Sequence, residues 1–553
     1  MPDPVDARRL EENLVVLSSR QPSLAAAVRA AATDPRLVAL LARSGAIVPG
    51  VRSAAGTLPL HSLYDPLQES ARLAESLRGA GLVIICGLGA GFHIASLLED
   101  PGVYAVIVIE KNAAVLRSLF GLVHYARLLG DPRVALVAGQ EAIRTTVLAR
   151  WQPALMGGMR TIPLRTWCDQ EPSFFDAAAR EVQAVVDEVR GDYSVQSHFG
   201  KRWLTNILMN LGRVQPVPAP VLHGSRAAVT AAGPSLEKQL PRLAAERGRL
   251  LLLATDTSLP ALVRSGITPD AVLSIDCQNH GYHHFLQGVP AGTSLFLDLA
   301  SPALLARRVV PSIFVASAHP FVRYIDSHWR RMPRIDTSGG NVTHAAVSLA
   351  RALGARRIAV YGADFSYPDG KAYARGTYLY DHFWTEQDRL SPAEAKFYSF
   401  VHGSSQARRE VQGGRLLYTT PLLRSYRERF MRLVETIDAD VIPEQGGGWN
   451  MPPRKRKAPA AAEADSWPRP TSSPTLNWRD FLSEYARNVE RLGPVAALPE
   501  GNDGELWGTI LPVAARVVRE GVAPGPGALE EARRWSLERI RRVLQAPVEP
   551  ARA

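Results

Sequence analysis

Short apolar runs closed by polar residues recur through the middle of the chain. Ala227–Ala231 ends in Ala232-Gly233-Pro234-Ser235, and Arg249–Ala254 ends in Thr255-Asp256-Thr257-Ser258. Pro269–Ile275 ends in Asp276-Cys277-Gln278-Asn279, Ser294–Leu297 in Asp298, Ile313–Ala316 in Ser317-Ala318-His319, and Arg357–Tyr361 in Gly362-Ala363-Asp364. Helical patterns at Leu236–Ala245, Leu259–Ser265, Pro302–Arg308 and Val342–Leu353 separate several of these runs. The alternation predicts a parallel sheet covered on both faces. In such sheets ligands bind beyond the carboxyl ends of the strands. Asp256, Asp276, Asp298, His319 and Asp364 all fall on that rim.

Two turns on the rim carry glycine. In Gly233-Pro234-Ser235, Gly233 lets backbone approach a ligand, Pro234 ends the strand and Ser235 is a good helix N-cap. A free helix end there would suit a phosphate. Ser338-Gly339-Gly340-Asn341 is a second flexible turn with Asn341 as a cap. Both turns are also compatible with ordinary strand-to-helix connections.

Residues 1–80 read as helices, over Leu10–Ser19, Ser23–Ala32 and Asp65–Leu77. An apolar strand, Leu82–Cys86, then meets Gly87-Leu88-Gly89-Ala90-Gly91, a short helix and a second strand, Tyr104–Ile109, ending in Glu110. Strand, Gly loop, helix and a terminal acid suit a Rossmann-like nucleotide site, with Gly87, Gly89 and Gly91 at the phosphates and Glu110 on a ribose. The same unit also serves as a purely structural domain. Val134–Val137 adds a strand, and Glu171–Gly191 and His198–Leu211 read as two helices leading through the Pro-rich Val214–Val221 into the central domain.

Beyond Asp364, the loop Pro368–Trp384 offers Tyr373, Tyr378, Tyr380 and His382 as sugar contacts and Arg375 for a carboxylate, or simply an interface. Thr419–Ile437 reads as a helix, Asp438–Ile442 as a strand and Gln445–Gly448 as a Gly turn. Residues 451–474 have the composition of a disordered linker, and 475–553 return to helix.

The 553 residues exceed one core, so two or three domains are expected. A formal charge of +11 admits anionic partners without selecting among them, and no nucleic-acid signature is present. Cys86, Cys168 and Cys277 are too scattered for a disulfide framework or a zinc site and suit a reducing cytoplasm. No apolar run reaches the length of a membrane span.

The stretches AAGPSL, ATDTSLPALVRSGITPDAVLSIDCQ and SGGNVTHAAVSLARALGARRIAVYGADFSY together resemble the central domain of the motility accessory factor (Maf) proteins. These are bacterial flagellin glycosyltransferases. They move nonulosonic acids such as pseudaminic or legionaminic acid onto Ser or Thr, and their domain superfamily includes archaeal hydroxymethyldihydropterin diphosphokinases. The resemblance implies an α/β chain. Residues 1–200 would form a helical lead-in and a Rossmann-like domain. Residues 201–450 would form a doubly wound, sialyltransferase-like catalytic domain, followed by the linker and a helical appendage. It implies a CMP-nonulosonic acid donor, flagellin as partner and no required metal. On that reading the Gly233, Pro234, Ser235 turn meets the phosphate. Thr257 and Ser258, with Gly339, Gly340 and Asn341, meet nucleotide or sugar. Asp256, Asp276, His319 and Asp364 supply the chemistry. His283, His284 and His344 are further candidates for the base. A kinase would instead hold Mg²⁺ on Asp276 and Asp364, and a non-catalytic flagellar scaffold would need neither.

Overall fold

The computed structural model describes residues 6–54, 56–215, 225–308, 312–403, 406–454, 476–495 and 501–547. The chain divides into two compact units, Met1–Gly200 with Val489–Ser536, and Lys201–Asn488 with Leu537–Ala553. The linker expected at 451–474 lies outside the described residues from 455 onward, as does the Pro-rich path from 216 to 224. Met451 is itself buried, and Arg454 bridges to Val441.

The first unit opens with helices Ala7–Arg20 and Pro22–Ala30. Three antiparallel strands follow, β1 (Leu37–Leu41), β2 (Ile47–Ser53) and β3 (Gly56–Pro59). The all-helical reading of residues 1–80 is corrected here: Gly45 takes a positive φ in the turn after β1 and returns the chain as a hairpin. Strands β4 (Ala80–Cys86), β5 (Ala105–Glu110), β6 (Val134–Ala138) and β7 (Gly158–Pro163) form a parallel sheet in the order β6-β5-β4-β7. Every residue of β4 and β5 is buried, as a sheet covered on both faces requires. The two helices expected at 171–211 are one, Pro172–Asn210. Gly191 and Gly200 do not break it.

The second unit contains a seven-stranded sheet. Its strands are β8 (Arg226–Thr230), β9 (Leu251–Thr255), β10 (Ala271–Ser274), β11 (Ser294–Asp298), β12 (Ser312–Val315) and β13 (Arg357–Tyr361), with β17 (Asp440–Pro443) near the end of the sequence. The order is β12-β11-β10-β9-β8-β13-β17, and every pairing is parallel. Each apolar run of the central stretch is one of these strands. The chain steps outward from β8 to β12, then returns to the other side of β8 at β13. That reversal makes the doubly wound topology and places its switch point between β8 and β13. A small antiparallel sheet, β14 (Tyr367–Pro368), β15 (Arg408–Gln412) and β16 (Arg415–Thr419), was not expected. Its hairpin turns at Gly413-Gly414, both at positive φ.

Candidate active site

At the switch point the predicted anion site is already filled. The Ser235 N–H donates to the Asp364 carboxylate (2.8 Å), and Ser235 itself makes no side-chain cap to the following helix. Burial pushes the Asp364 carboxyl up, against the donors of Ser235 and the Gly448 N–H that hold it down. The Gly233 N–H donates to the Gly362 carbonyl (2.9 Å). A Cβ on Gly233 would overlap that carbonyl and Asp364, and one on Gly448 would lie 2.5 Å from Asp364. Asp364 therefore stands where a phosphate was expected, and the turn Gly446–Gly448 covers it. The free helix end read from Gly233, Pro234 and Ser235 is corrected: a carboxylate 129 positions from Ser235 caps it. Gly233→Val is accordingly expected to lower the thermal midpoint of the unliganded protein by at least about 6 °C through overpacking. Differential scanning fluorimetry without nucleotide checks this; an unchanged midpoint would show the turn to be open.

The groups suited to chemistry gather at the ends of β9 and β10. Asp256 is buried; it accepts from the Ser274 hydroxyl (2.6 Å) and the Thr257 N–H (2.7 Å). Asp276, 37% exposed at its side chain, accepts from the Gln278 N–H (2.9 Å) and faces His280 at 3.5 Å. His284 is buried, with a ring nitrogen, Nδ1, that has no hydrogen-bond partner among the described residues. Its ring meets the Tyr378 ring edge-on at 4.5 Å. Burial drives His284 toward the neutral form, against the opposing pull of Asp256 and Asp276. The same carboxylates, after burial, raise the Tyr378 phenol, and Asp276 adds to burial at Tyr426. Tyr373 is raised by burial and its tyrosine neighbours, with Asp256 contributing. The cleft thus joins two acids, a neutral imidazole and three phenols.

Tyr426 also stands against Gly340: a Cβ there would lie 3.2 Å from the tyrosine ring and 3.7 Å from the Arg429 guanidinium. Arg429 donates to the Ser338 carbonyl (2.9 Å), so the Ser338–Gly340 turn brings a cation to the cleft. Gly339 instead makes room for the His344 ring, and Asn341 caps helix Val342–Ala352 through the His344 N–H (3.0 Å). His344 is committed to Asp336 at 3.0 Å. Thr257 lies beside Asp256. Ser258 is buried and spent on Thr230 and Thr255, which ties β8 to β9. His319 caps helix Pro320–His328, its Nδ1 accepting from the Phe321 N–H, at the end of edge strand β12. β12 is the edge strand, three positions from β9 in the sheet order, and in this structure His319 serves as a helix cap.

Two asparagines that sequence alone left unnoticed fix the floor. Asn206 Nδ2 donates to the carbonyls of Cys277 (3.0 Å) and Ala300 (2.8 Å), and Asn210 Nδ2 to those of Leu299 (3.0 Å) and Ser301 (2.8 Å). They lie four apart on one helix face and hold the loops after β10 and β11.

The Gly loop of the first unit is closed by its own protein. Glu110 accepts from the Leu88 N–H (2.6 Å) and Trp167 Nε1 (3.0 Å), and His61 Nε2 accepts from the Ala90 N–H (2.9 Å). Tyr125 donates to the Gly89 carbonyl, and a Cβ on Gly89 would overlap the His61 ring. Gly87 packs on Trp167 and Leu164, and Gly91 on Leu128. The Leu88 and Ala90 N–H groups and the Glu110 carboxylate, expected to meet a nucleotide, are engaged within the protein in this structure. Burial pushes the Glu110 carboxyl up to about 7 from its ordinary 4.5. Between these values the folded state holds the extra proton, so this group makes stability fall as pH rises from about 4.5 to about 7. Burial lowers His61 to about 4 and His93 to about 3, which acts in the opposite sense. The readout is therefore the difference between wild type and Glu110→Gln. Urea midpoints of the two are expected to converge as pH rises through that window, and a constant gap would contradict the assignment.

Residues 201–370 match the family model described as 6-hydroxymethylpterin diphosphokinase MptE-like. The solved structure of the MAf glycosyltransferase from Magnetospirillum magneticum AMB-1 aligns over 98% of this chain and 94% of that chain. The TM-score is 0.55 at 13% identity. The chain thus has a fold like that glycosyltransferase's, as the sequence resemblance implied. Two uncharacterized proteins of Treponema pallidum (strain Nichols) are similar over shorter stretches. One is 40% identical over 118 residues, 21% of this chain and 41% of its own length. The other is 31% identical over 139 residues, 24% of this chain and 64% of its own. The chain spans less than two thirds of these relatives. Among the described residues no helix is long and apolar enough to cross a membrane.

Proposed function

We propose that the chain is a glycosyltransferase that moves a CMP-activated nonulosonic acid onto a Ser or Thr hydroxyl of flagellin. The observation that carries this reading is the buried imidazole of His284, packed edge-on against Tyr378 and set beside Asp256 and Asp276 on the strand rim. In the reaction the bond from the anomeric carbon to the phosphate oxygen breaks, and CMP leaves with the electron pair. The acceptor oxygen bonds to the anomeric carbon and its proton passes to His284. Asp276 and Asp256 favour the imidazolium so formed and the positive charge that develops on the sugar. Arg429 supplies positive charge for the departing phosphate.

The family description of residues 201–370 favours a second reading, a diphosphokinase. The Mg²⁺ pair expected for it, Asp276 with Asp364, does not suit the geometry. Asp364 is taken by Ser235 and Gly448. Ligand-dependent thermal stability separates the readings. CMP at a hundred times its Kd should stabilise the protein by about 2.7 kcal/mol, and ATP with Mg²⁺ should not. Stabilisation by ATP with Mg²⁺ alone would move the assignment to the kinase, and by neither nucleotide to the scaffold.

A further inference from the structure

A cavity of about 210 Å³ opens beside the cleft, lined by Pro260, His283, Gln287, Tyr378, Asp381 and Thr385 among others. Its far wall is one stripe of helix Tyr378–Thr385, since residues 378, 381, 382 and 385 share a face. Tyr378 is common to both sites. It lines the cavity and meets the His284 ring at 4.5 Å, so one side chain links the cavity to the cleft.

The lining defines what fits. Pro260, Leu286 and the rings of His283, Tyr378 and His382 offer apolar and aromatic surface. His283 stands edge-on to Tyr378 at 5.8 Å and to His382 at 6.5 Å. Asp381 is neutralised by Arg264 at 2.5 Å. The Gln287 amide, with its oxygen toward Arg264, accepts at 2.9 and 2.7 Å and leaves its NH₂ as a donor. Thr385 adds a hydroxyl. An apolar wall with a few placed polar groups is the usual make-up of a small-molecule site, and the volume is below the ~300 Å³ at which drug-sized ligands begin. It suits one ring-sized fragment and excludes a whole nucleotide.

We infer that this cavity is the glycone subsite: it takes the sugar ring of the donor, a hydroxylated ring with apolar C–H faces, while the nucleotide lies in the cleft beyond Tyr378. The inference rests on the glycosyltransferase reading above.

The experiment uses the full chain and three probes: CMP, CMP-legionaminic acid and CMP-pseudaminic acid. Thermal shifts are compared for wild type, Thr385→Trp, which fills the cavity from its exposed edge, and Gln287→Ala, which removes one polar contact at an exposed position. CMP should stabilise all three proteins alike. At least one CMP-sugar should stabilise wild type further, and Thr385→Trp should lose that extra shift with a rise of at least about tenfold in its apparent Kd, equivalent to 1.4 kcal/mol. Gln287→Ala should lose part of it. An extra shift that survives in both variants, or CMP-sugars no better than CMP on wild type, overturns the subsite and leaves the function standing. No shift with CMP or either CMP-sugar on wild type overturns the function and the subsite together.

Discussion

His284→Gln is expected to lower the rate of sugar transfer by about 10²–10⁴-fold, the usual contribution of a positioned general base, while CMP stabilises the variant as it does wild type. The imidazole is buried beside Tyr378, and its Nδ1 has no partner among the described residues. Glutamine keeps the polarity and roughly the reach but cannot take a proton. The pH profile gives a second check. A base must be neutral to act, and burial lowers His284 below the ordinary imidazole value of 6.5. The acid limb of kcat should therefore fall below pH 6.5 in wild type and vanish in the variant. Asp276→Asn should weaken transfer and leave that limb in place. A His284→Gln protein with wild-type kcat would remove the base from this account.

The other large effect is architectural. Gly200→Ala is expected to destabilise the first unit by at least about 3 kcal/mol, from overpacking that no rotamer can relieve. Gly200 lies inside helix Pro172–Asn210 and faces helix Gly501–Arg519, where a Cβ would overlap the backbone carbonyl of Pro512. Both contacting partners are main chain, so nothing short of separating the helices makes room. A domain of about 250 residues loses roughly 2–4 °C of midpoint per kcal/mol, and a drop of at least about 6 °C is expected in a thermal melt. A melt within about 2 °C of wild type would mean that the two helices are not held this closely.

How much of this was legible depended on the range of the interaction. The strands β8 to β13 followed from their own residues, because a run such as Leu251–Thr255 is buried throughout and must lie inside a covered sheet. Their rim then placed Asp256 and Asp276 together without further information. Asp364 sat on the same rim, but its use did not follow, because the Ser235 partner is set by the packing of β8 against β13 and by the distant Gly448. The Gly87–Gly91 loop has the spacing of a nucleotide site, yet Glu110 and His61 take its Leu88 and Ala90 N–H groups, and nothing local to the loop says so. Four histidines were equal in sequence. Partners separated three of them: His344 is held by Asp336, His319 accepts from the Phe321 N–H as a cap, and His284 lies beside two acids. The long helix was missed because Gly191 and Gly200 each cost roughly 1 kcal/mol in a helix interior. Local propensity therefore argued for a break that tertiary packing overrides.

Transfer to flagellin is tested most directly by intact-mass analysis of flagellin from the parent strain, a deletion strain, and deletion strains complemented with wild type or His284→Gln. The account predicts a mass excess in whole multiples of one nonulosonic acid residue in the parent. That excess should be absent in the deletion strain, restored by wild type and not restored by His284→Gln. Flagellin of unchanged mass in the deletion strain would contradict it.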